Sequence, residues 1–120
     1  MGTTHELTGL DLRYVLTRIV SLQGPLSVAE LRMRLRHLGF SVAGRASKTI
    51  SDALRWEVRR GRVERRGRGF YGPGEIPRST EYRIIRRVQV LRFQAQMQCD
   101  DADFDTAVRD RFHGEPFVDW

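Results

Sequence analysis

The chain has 120 residues, 40% hydrophobic and 30% charged, which suits one small domain with its own buried core. No apolar run approaches the roughly 18 residues of a membrane span and no signal peptide is recognisable, so we expect no membrane contact. The single cysteine, Cys99, excludes an intrachain disulfide and a multi-cysteine zinc site.

Charge is unevenly distributed along the chain. Lysine and arginine number 21 against 15 acidic residues, which gives a net charge of +6. The segment 99–120 holds seven acidic and two basic residues and carries −5, so residues 1–98 carry +11. A strongly basic body with an acidic C-terminal segment indicates an anionic polymer as partner, with the acidic segment as a modulator.

Two amphipathic helices are predicted at the start of the chain. The first begins at Thr8, which offers an N-cap hydroxyl, and Gly24-Pro25 stops it. Its apolar stripe consists of Leu12, Val15, Leu16, Ile19 and Val20. Ser27 and Glu30 have the spacing of a capping box that opens the second helix, and Gly39 is placed to end it.

A third helix and a hairpin follow. Ser47 is predicted to cap a helix over 47–60, which Gly61 terminates. Residues 62–71 then change to a strand-like period and are interrupted by Gly67-Arg68-Gly69. This pattern predicts two short strands joined by a glycine-flanked tip.

The segment 77–98 is predicted to form a long helix that runs from a cap at Ser79 or Thr80 to about Gln98. Four of its apolar residues recur at the spacing of a coiled-coil seam: Ile84, Val88, Leu91 and Ala95. We expect this seam to form a homodimer. The alternative is a monomer whose long helix is covered by the folded-back segment Phe104–Trp120, within which Phe104–Phe112 has the pattern of a short amphipathic helix.

This order of elements resembles the winged helix-turn-helix domain of small bacterial transcriptional regulators. The segments that carry the resemblance are Leu26-Ser27, Val28 to Leu38, Ser47 to Arg60 and Val63 to Tyr71. The resemblance implies a mainly α fold with a small β-hairpin (α+β). A winged helix-turn-helix domain would occupy 1–76, with the long C-terminal helix at 77–98 and the acidic segment at 99–120. It also implies binding to double-stranded DNA.

The third helix has two faces on a helical wheel. Ile50, Ala53, Leu54 and Val58 lie on one side, and hydrogen-bonding side chains lie on the other. We expect the polar face to enter the major groove, where Arg55 can bind guanine through two hydrogen bonds. Asp52 either accepts from a cytosine amino group or holds Arg55 in place.

The predicted hairpin supplies the second contact. Arg68 at its tip is placed for a narrow minor groove, whereas Arg65 and Arg66 are placed for phosphates. The full predicted DNA-binding set is Arg45, Ser47, Lys48, Ser51, Asp52, Arg55, Arg59, Arg62, Arg65, Arg66 and Arg68. The proposed role is sequence-specific DNA binding in a cytoplasmic, nucleoid-associated bacterial transcriptional regulator.

Other functions remain open at this point. The same fold can serve as a protein-interaction module or as an architectural DNA-binding protein without strong specificity, and an RNA-binding module is a third alternative. No nucleophile with its base, no metal-ligand spacing and no phosphate-cradling loop is recognisable, so neither an enzyme nor a metal or cofactor is expected. Trp56 is predicted to lie in or near the core, with packing against the hairpin or a sugar-phosphate edge as the alternative. The rings of Phe70 and Tyr71 are predicted to face the core. No effector pocket is predicted, and any effector stays unknown.

Overall fold

The computed structural model describes residues 5–99, which fold into four helices and five short strands. In chain order these are β1 (His5–Leu7), α1 (Gly9–Gln23), β2 (Leu26–Ser27), α2 (Val28–His37), β3 (Phe40–Val42), α3 (Ala46–Arg59), β4 (Val63–Gly67), β5 (Phe70–Pro73) and α4 (Arg78–Cys99). The mixed α+β class is confirmed. The acidic segment, with the helix predicted at Phe104–Phe112, lies outside the described residues apart from Cys99. Within 5–99, no helix has the length and apolar character required to cross a membrane.

Helix α1 lies at the centre of the core, packed against α3 and α4. All five residues of its predicted apolar stripe are buried, and so are Tyr14 and Thr17. Thr8 is the N-cap, as predicted, but its side chain makes no capping hydrogen bond. Asp11, in the first turn, instead accepts two hydrogen bonds from Arg87 at 2.9 and 3.0 Å, which ties the start of α1 to α4.

Helix α2 begins with the predicted capping box. The Glu30 amide donates to Ser27 Oγ at 3.1 Å, and the Ser27 amide donates to Glu30 Oε1 at 2.9 Å. Helix α3 begins one residue earlier than predicted, with Arg45 as its N-cap, so the assignment of Ser47 as the cap was wrong. Gly61 follows the end of α3 with a φ of +80°, which confirms the predicted stop.

The strands form two small sheets. In the first, β5 lies between β2 and β4, and all pairs are antiparallel. The predicted hairpin is therefore confirmed, and Leu26 and Ser27 pair with its second strand opposite Tyr71 and Phe70. The second sheet was not predicted: β1, which precedes the first predicted helix, pairs in parallel with β3, which follows the second.

Helix α4 begins at Arg78, so the assignment of Ser79 or Thr80 as its cap was wrong. The helix also corrects the predicted dimer seam. Ile84, Val88, Leu91 and Ala95 are each no more than 2% exposed in a single chain, where α4 packs on α1. These four side chains are core residues and have no surface left for a second chain. Spacing at intervals of four and three marks a stripe that must be buried, but it does not specify whether the partner is another chain. Formation of a homodimer stays a prediction, but these four residues are no longer its proposed interface.

Candidate nucleic-acid interface

Helix α3 has the two faces that its sequence predicts. Ile50, Ala53 and Leu54 are buried on the inner side. On the outer side, the side chains of Lys48 and Arg55 are 67% and 71% exposed. The helix is therefore held by its apolar stripe and presents polar side chains to solvent.

Asp52 lies between the two outer cations of α3. Lys48 Nζ donates to Asp52 Oδ2 at 3.1 Å, and Arg55 Nη1 is 3.7 Å from Asp52 Oδ1. The carboxylate thus accepts a hydrogen bond from Lys48, lies within ion-pair distance of Arg55, and leaves the trio with a net positive charge. Of the two roles considered for Asp52, this geometry favours holding Arg55 in place.

An open basic cleft lies at the start of α3. It has a volume of about 430 Å³ and is bordered by Arg32 of α2, by Gly44 and by Arg45, Ala46, Ser47 and Lys48. The backbone N–H groups in the first turn of a helix have no partner within the helix. They add positive potential at its N-terminus to that of the cations. This cleft therefore suits an anionic group such as a phosphate. Arg32 was missed from the sequence because it is an ordinary exposed position of the preceding helix.

The far end of α3 carries an exposed aromatic side chain. Trp56 is 48% exposed, so its predicted place in or near the core was wrong. The guanidinium carbons of Arg13 and Arg59 lie 5.4 and 5.5 Å from the centre of its ring, within the range of cation–π attraction. Ser51, nearer the start of the helix, is half-buried.

The β4–β5 hairpin exposes three arginines, Arg65, Arg66 and Arg68. Gly69, beside the tip, has a φ of +76°, a conformation that side-chain-bearing residues rarely adopt. Arg66 lies across the hairpin and donates to the Pro73 carbonyl oxygen at 3.2 Å. This bond uses one of the five N–H groups of the guanidinium, whose side chain is 50% exposed.

The rings at the end of the hairpin differ in burial. Tyr71 is partly buried against the core, as predicted. Phe70 is 44% exposed, so the prediction that both rings face the core was wrong for Phe70. Successive side chains of a strand point to opposite faces of the sheet. The adjacent rings of Phe70 and Tyr71 therefore point in opposite directions.

Arg62 is not part of the exposed surface. Its side chain is 13% exposed and donates to both carboxylate oxygens of Glu57, at 2.7 and 2.9 Å. The hydrogen bonds from Arg62 to Glu57 raise the pKa of Arg62. Since this guanidinium is already committed to a buried carboxylate, Arg62 lacks the exposed position that its predicted DNA contact requires.

Glu57 is the central residue of this buried polar cluster and was not singled out from the sequence. It is fully buried, and Thr17 Oγ1 donates to its Oε1 at 2.9 Å. Arg13 Nε lies 3.7 Å from Oε2 and is buried without a hydrogen-bond partner within the described part of the chain. Glu57 thereby joins α3 to α1 and, through Arg62, to the start of the hairpin. Its position three residues after Leu54 on the apolar stripe is the signal that indicates its burial.

Among residues 5–99, no group of three or more His, Cys, Asp or Glu side chains could hold a metal ion. Comparison with protein-family models gave no match, and neither the curated proteins nor the solved structures contain a significantly similar chain. What this surface binds is therefore inferred from its own residues.

Proposed function

We propose that this chain binds double-stranded DNA as a transcriptional regulator, with a winged helix arrangement in which α2 and α3 are the helix pair and β4–β5 is the wing. The pairing of the short strand β2 with β5 supports this arrangement, because it ties the hairpin to the start of α2. The α3 helix would lie in the major groove. The hairpin would lie at the minor groove or along the adjacent backbone.

The observation that carries this proposal is the charge left on the surface of residues 45–68. Glu57 is used internally by Arg62, so it does not neutralise any exposed cation. Two acidic residues, Asp52 and Glu64, remain against eight exposed basic ones, which leaves +6. The exposed basic residues are Arg45, Lys48, Arg55, Arg59, Arg60, Arg65, Arg66 and Arg68. Phosphate neutralisation by such a surface supplies the sequence-independent part of DNA affinity.

Each part of the surface suits one class of contact. The basic cleft at the start of α3 is suited to a backbone phosphate, which fixes register and orientation. Arg55, which is ion-paired with Asp52, would read a guanine edge. Arg68 at the hairpin tip is placed for the negative potential of a narrow minor groove.

The buried Glu57 cluster explains how the two contact elements can act together. Glu57 lies on α3 and its partner Arg62 immediately precedes the hairpin, so their paired hydrogen bonds restrict the angle between the two elements. A rigid angle reduces the entropy that binding must overcome when both elements engage one duplex.

Fluorescence anisotropy with a labelled random-sequence duplex tests the proposal. If helix and hairpin neutralise about 5–7 phosphates, log affinity should fall with log salt at about −0.9 per phosphate. Single-stranded DNA and a duplex RNA of the same length serve as comparison ligands. Lack of duplex binding at about 50 mM salt, or a flat salt response, would contradict the proposal.

A matched pair of variants locates the surface. Arg55→Ala removes an exposed arginine of α3, and Arg83→Ala removes an exposed arginine of α4. We expect only the α3 variant to weaken binding to a duplex that carries a preferred site. Equal losses would mean that the whole basic body attracts DNA without a defined face.

Exposed aromatic side chains favour a second candidate function, a protein-interaction module. Trp56 and Phe70 are both close to half exposed and lie on the same elements as the arginines. Tryptophan and arginine are frequent among residues that dominate protein interfaces. Under this alternative, neither duplex DNA nor RNA would bind with a steep dependence on salt.

A further inference from the structure

A second pocket lies between three helices and is separate from the basic cleft. It has a volume of about 300 Å³ and is lined by Ile19 and Gln23 of α1, by Arg34, His37 and Leu38 at the end of α2, and by Arg92 of α4. This volume is at the small end of the range for ligand pockets in proteins. The sequence did not predict it, because its three basic residues come from different helices and are not adjacent in the chain.

The pocket combines an apolar floor with a basic rim. Ile19 belongs to the buried core and Leu38 packs against that core. Arg34, His37 and Arg92 approach from α2 and α4, and no acidic side chain is among the lining residues. A ligand that fits such a pocket carries an apolar body and a negative group.

The end of α2 does not by itself account for this concentration of cations. Arg34 and His37 lie in its last turn, where the helix dipole amounts to about half a negative charge. Arg92, on α4, adds a second guanidinium group to the pocket lining beside that of Arg34. Burial lowers the pKa of Arg92, since its charge is partly removed from water, and an anion in the pocket would offset that cost.

The pocket faces away from the proposed DNA surface. Arg32 borders the cleft at the start of α3, whereas Arg34 lines the pocket, and these two positions are about 160° apart around α2. An anion bound beside Arg34 is therefore not one of the phosphates of a duplex bound at α3.

We infer that the pocket between α1, α2 and α4 binds a small amphiphilic carboxylate, with its apolar body on Ile19 and Leu38 and its carboxylate at Arg34 and Arg92. Arginine suits this role because its planar guanidinium forms paired hydrogen bonds with a carboxylate. The site is independent of the proposed function, since its ligand and residues differ from those of the DNA surface.

Isothermal titration with octanoate tests the inference on the full chain without DNA. Octanol keeps the apolar body and removes the charge, and acetate keeps the charge and removes the body. We expect one octanoate site per chain and at least about tenfold weaker binding of either comparison ligand. Equal binding of octanoate and octanol, or no octanoate binding at millimolar concentration, would overturn the inference.

Two charge-removing variants locate the ligand. Arg92→Met keeps the apolar stem of a partly buried side chain, and Arg34→Gln changes an exposed one that affects folding less. Each should weaken octanoate binding about tenfold, whereas Arg83→Met, on the exposed surface of α4, should leave it unchanged. The thermal unfolding midpoint of each variant shows whether it is folded. Unchanged octanoate affinity in folded Arg34→Gln would place the ligand elsewhere and overturn the assignment, whatever the outcome of the DNA experiments.

Discussion

Arginines occur in two contrasting environments of this molecule. Arg62 and Arg13 surround the buried carboxylate of Glu57, where the paired hydrogen bonds of Arg62 commit its charge to the interior. Arg55 and Arg68 lie on exposed surfaces of α3 and the hairpin tip. The comparison shows that neighbouring arginines in one basic stretch take different roles, and that burial beside a carboxylate decides which role each takes.

Buried and exposed arginines also contribute to different properties, the first to stability and the second to binding. A buried ion pair contributes to a fixed geometry, and removing one partner leaves an uncompensated charge that is costly. An exposed cation contributes little to folding and keeps its charge available to an external anion. Substitutions in the two environments should therefore move different measurements.

The largest expected effect comes from Glu57→Ala. Loss of the carboxylate leaves the guanidinium of Arg62 buried without its partner and removes the acceptor of Thr17. We expect the free energy of unfolding to fall by about 3–5 kcal/mol, measured by urea denaturation. Glu64→Ala, on the exposed side of β4, is the control and should change it by no more than about 0.5 kcal/mol. Similar losses in the two variants would remove the distinction between the environments.

Arg62→Ala should destabilise the protein somewhat less. Glu57 keeps its hydrogen bond from Thr17 and the nearby charge of Arg13, so we expect a loss of about 3 kcal/mol, at the low end of the range for a broken buried pair. Folded Arg62→Ala should still bind duplex DNA. Loss of DNA binding by a folded variant would restore Arg62 to the contact surface.

The pH dependence of this pair has a defined sign. Glu57 raises the pKa of Arg62 in the folded state, so the arginine's contribution is complete at neutral pH and is lost only as pH rises through the folded value, in strongly alkaline solution. The stability difference between the unmodified protein and Arg62→Ala should therefore be constant between about pH 7 and 9. A decrease within that interval, in urea titrations at several pH values, would contradict the assignment.

Arg55→Ala should affect binding and leave folding nearly unchanged. We expect a loss of about 1–3 kcal/mol on a preferred duplex and relaxed preference at one base position. Binding to duplexes with each base substituted in turn measures this effect. An equal loss on every duplex would mean that Arg55 contacts phosphate and reads no base.

The smallest effect is expected from Arg66→Ala. This side chain already donates to the Pro73 carbonyl oxygen and lies 3.5 Å from the Glu64 carboxylate, so part of its hydrogen-bonding capacity is used within the hairpin. All duplexes should be weakened about equally, and the salt slope should fall by about one unit. An unchanged slope in anisotropy titrations would remove the hairpin from the phosphate contacts.

Local patterns predicted most of the elements of this fold. Three local features form as predicted: the stripe of α1, the capping box at Ser27 and Glu30, and the glycine-flanked hairpin tip. Each is encoded by residues that lie close together in the chain. The β1–β3 pair could not be predicted in this way. It joins three-residue strands that are distant in the chain, and such pairing depends on tertiary packing.

The candidate site was less predictable because contact partners are not encoded locally. Periodicity correctly marked Leu91 as buried but assigned it to a second chain. Charge counting placed Arg62 in the exposed set, since it treats Glu57, five positions earlier, as one more surface charge. Arg92 and Arg34 share a pocket although 58 positions separate them in the sequence.

Mapping duplex DNA onto the amides of isotope-labelled protein by nuclear magnetic resonance tests the central claim most directly. Chemical-shift changes should concentrate in 45–59 and 63–70, with a further change at Arg32 beside the basic cleft. The exposed side of α4, represented by Tyr82 and Val90, should show little change. Changes centred on α4, or no changes with duplex DNA at low salt, would contradict a DNA-binding surface formed by α3 and the hairpin.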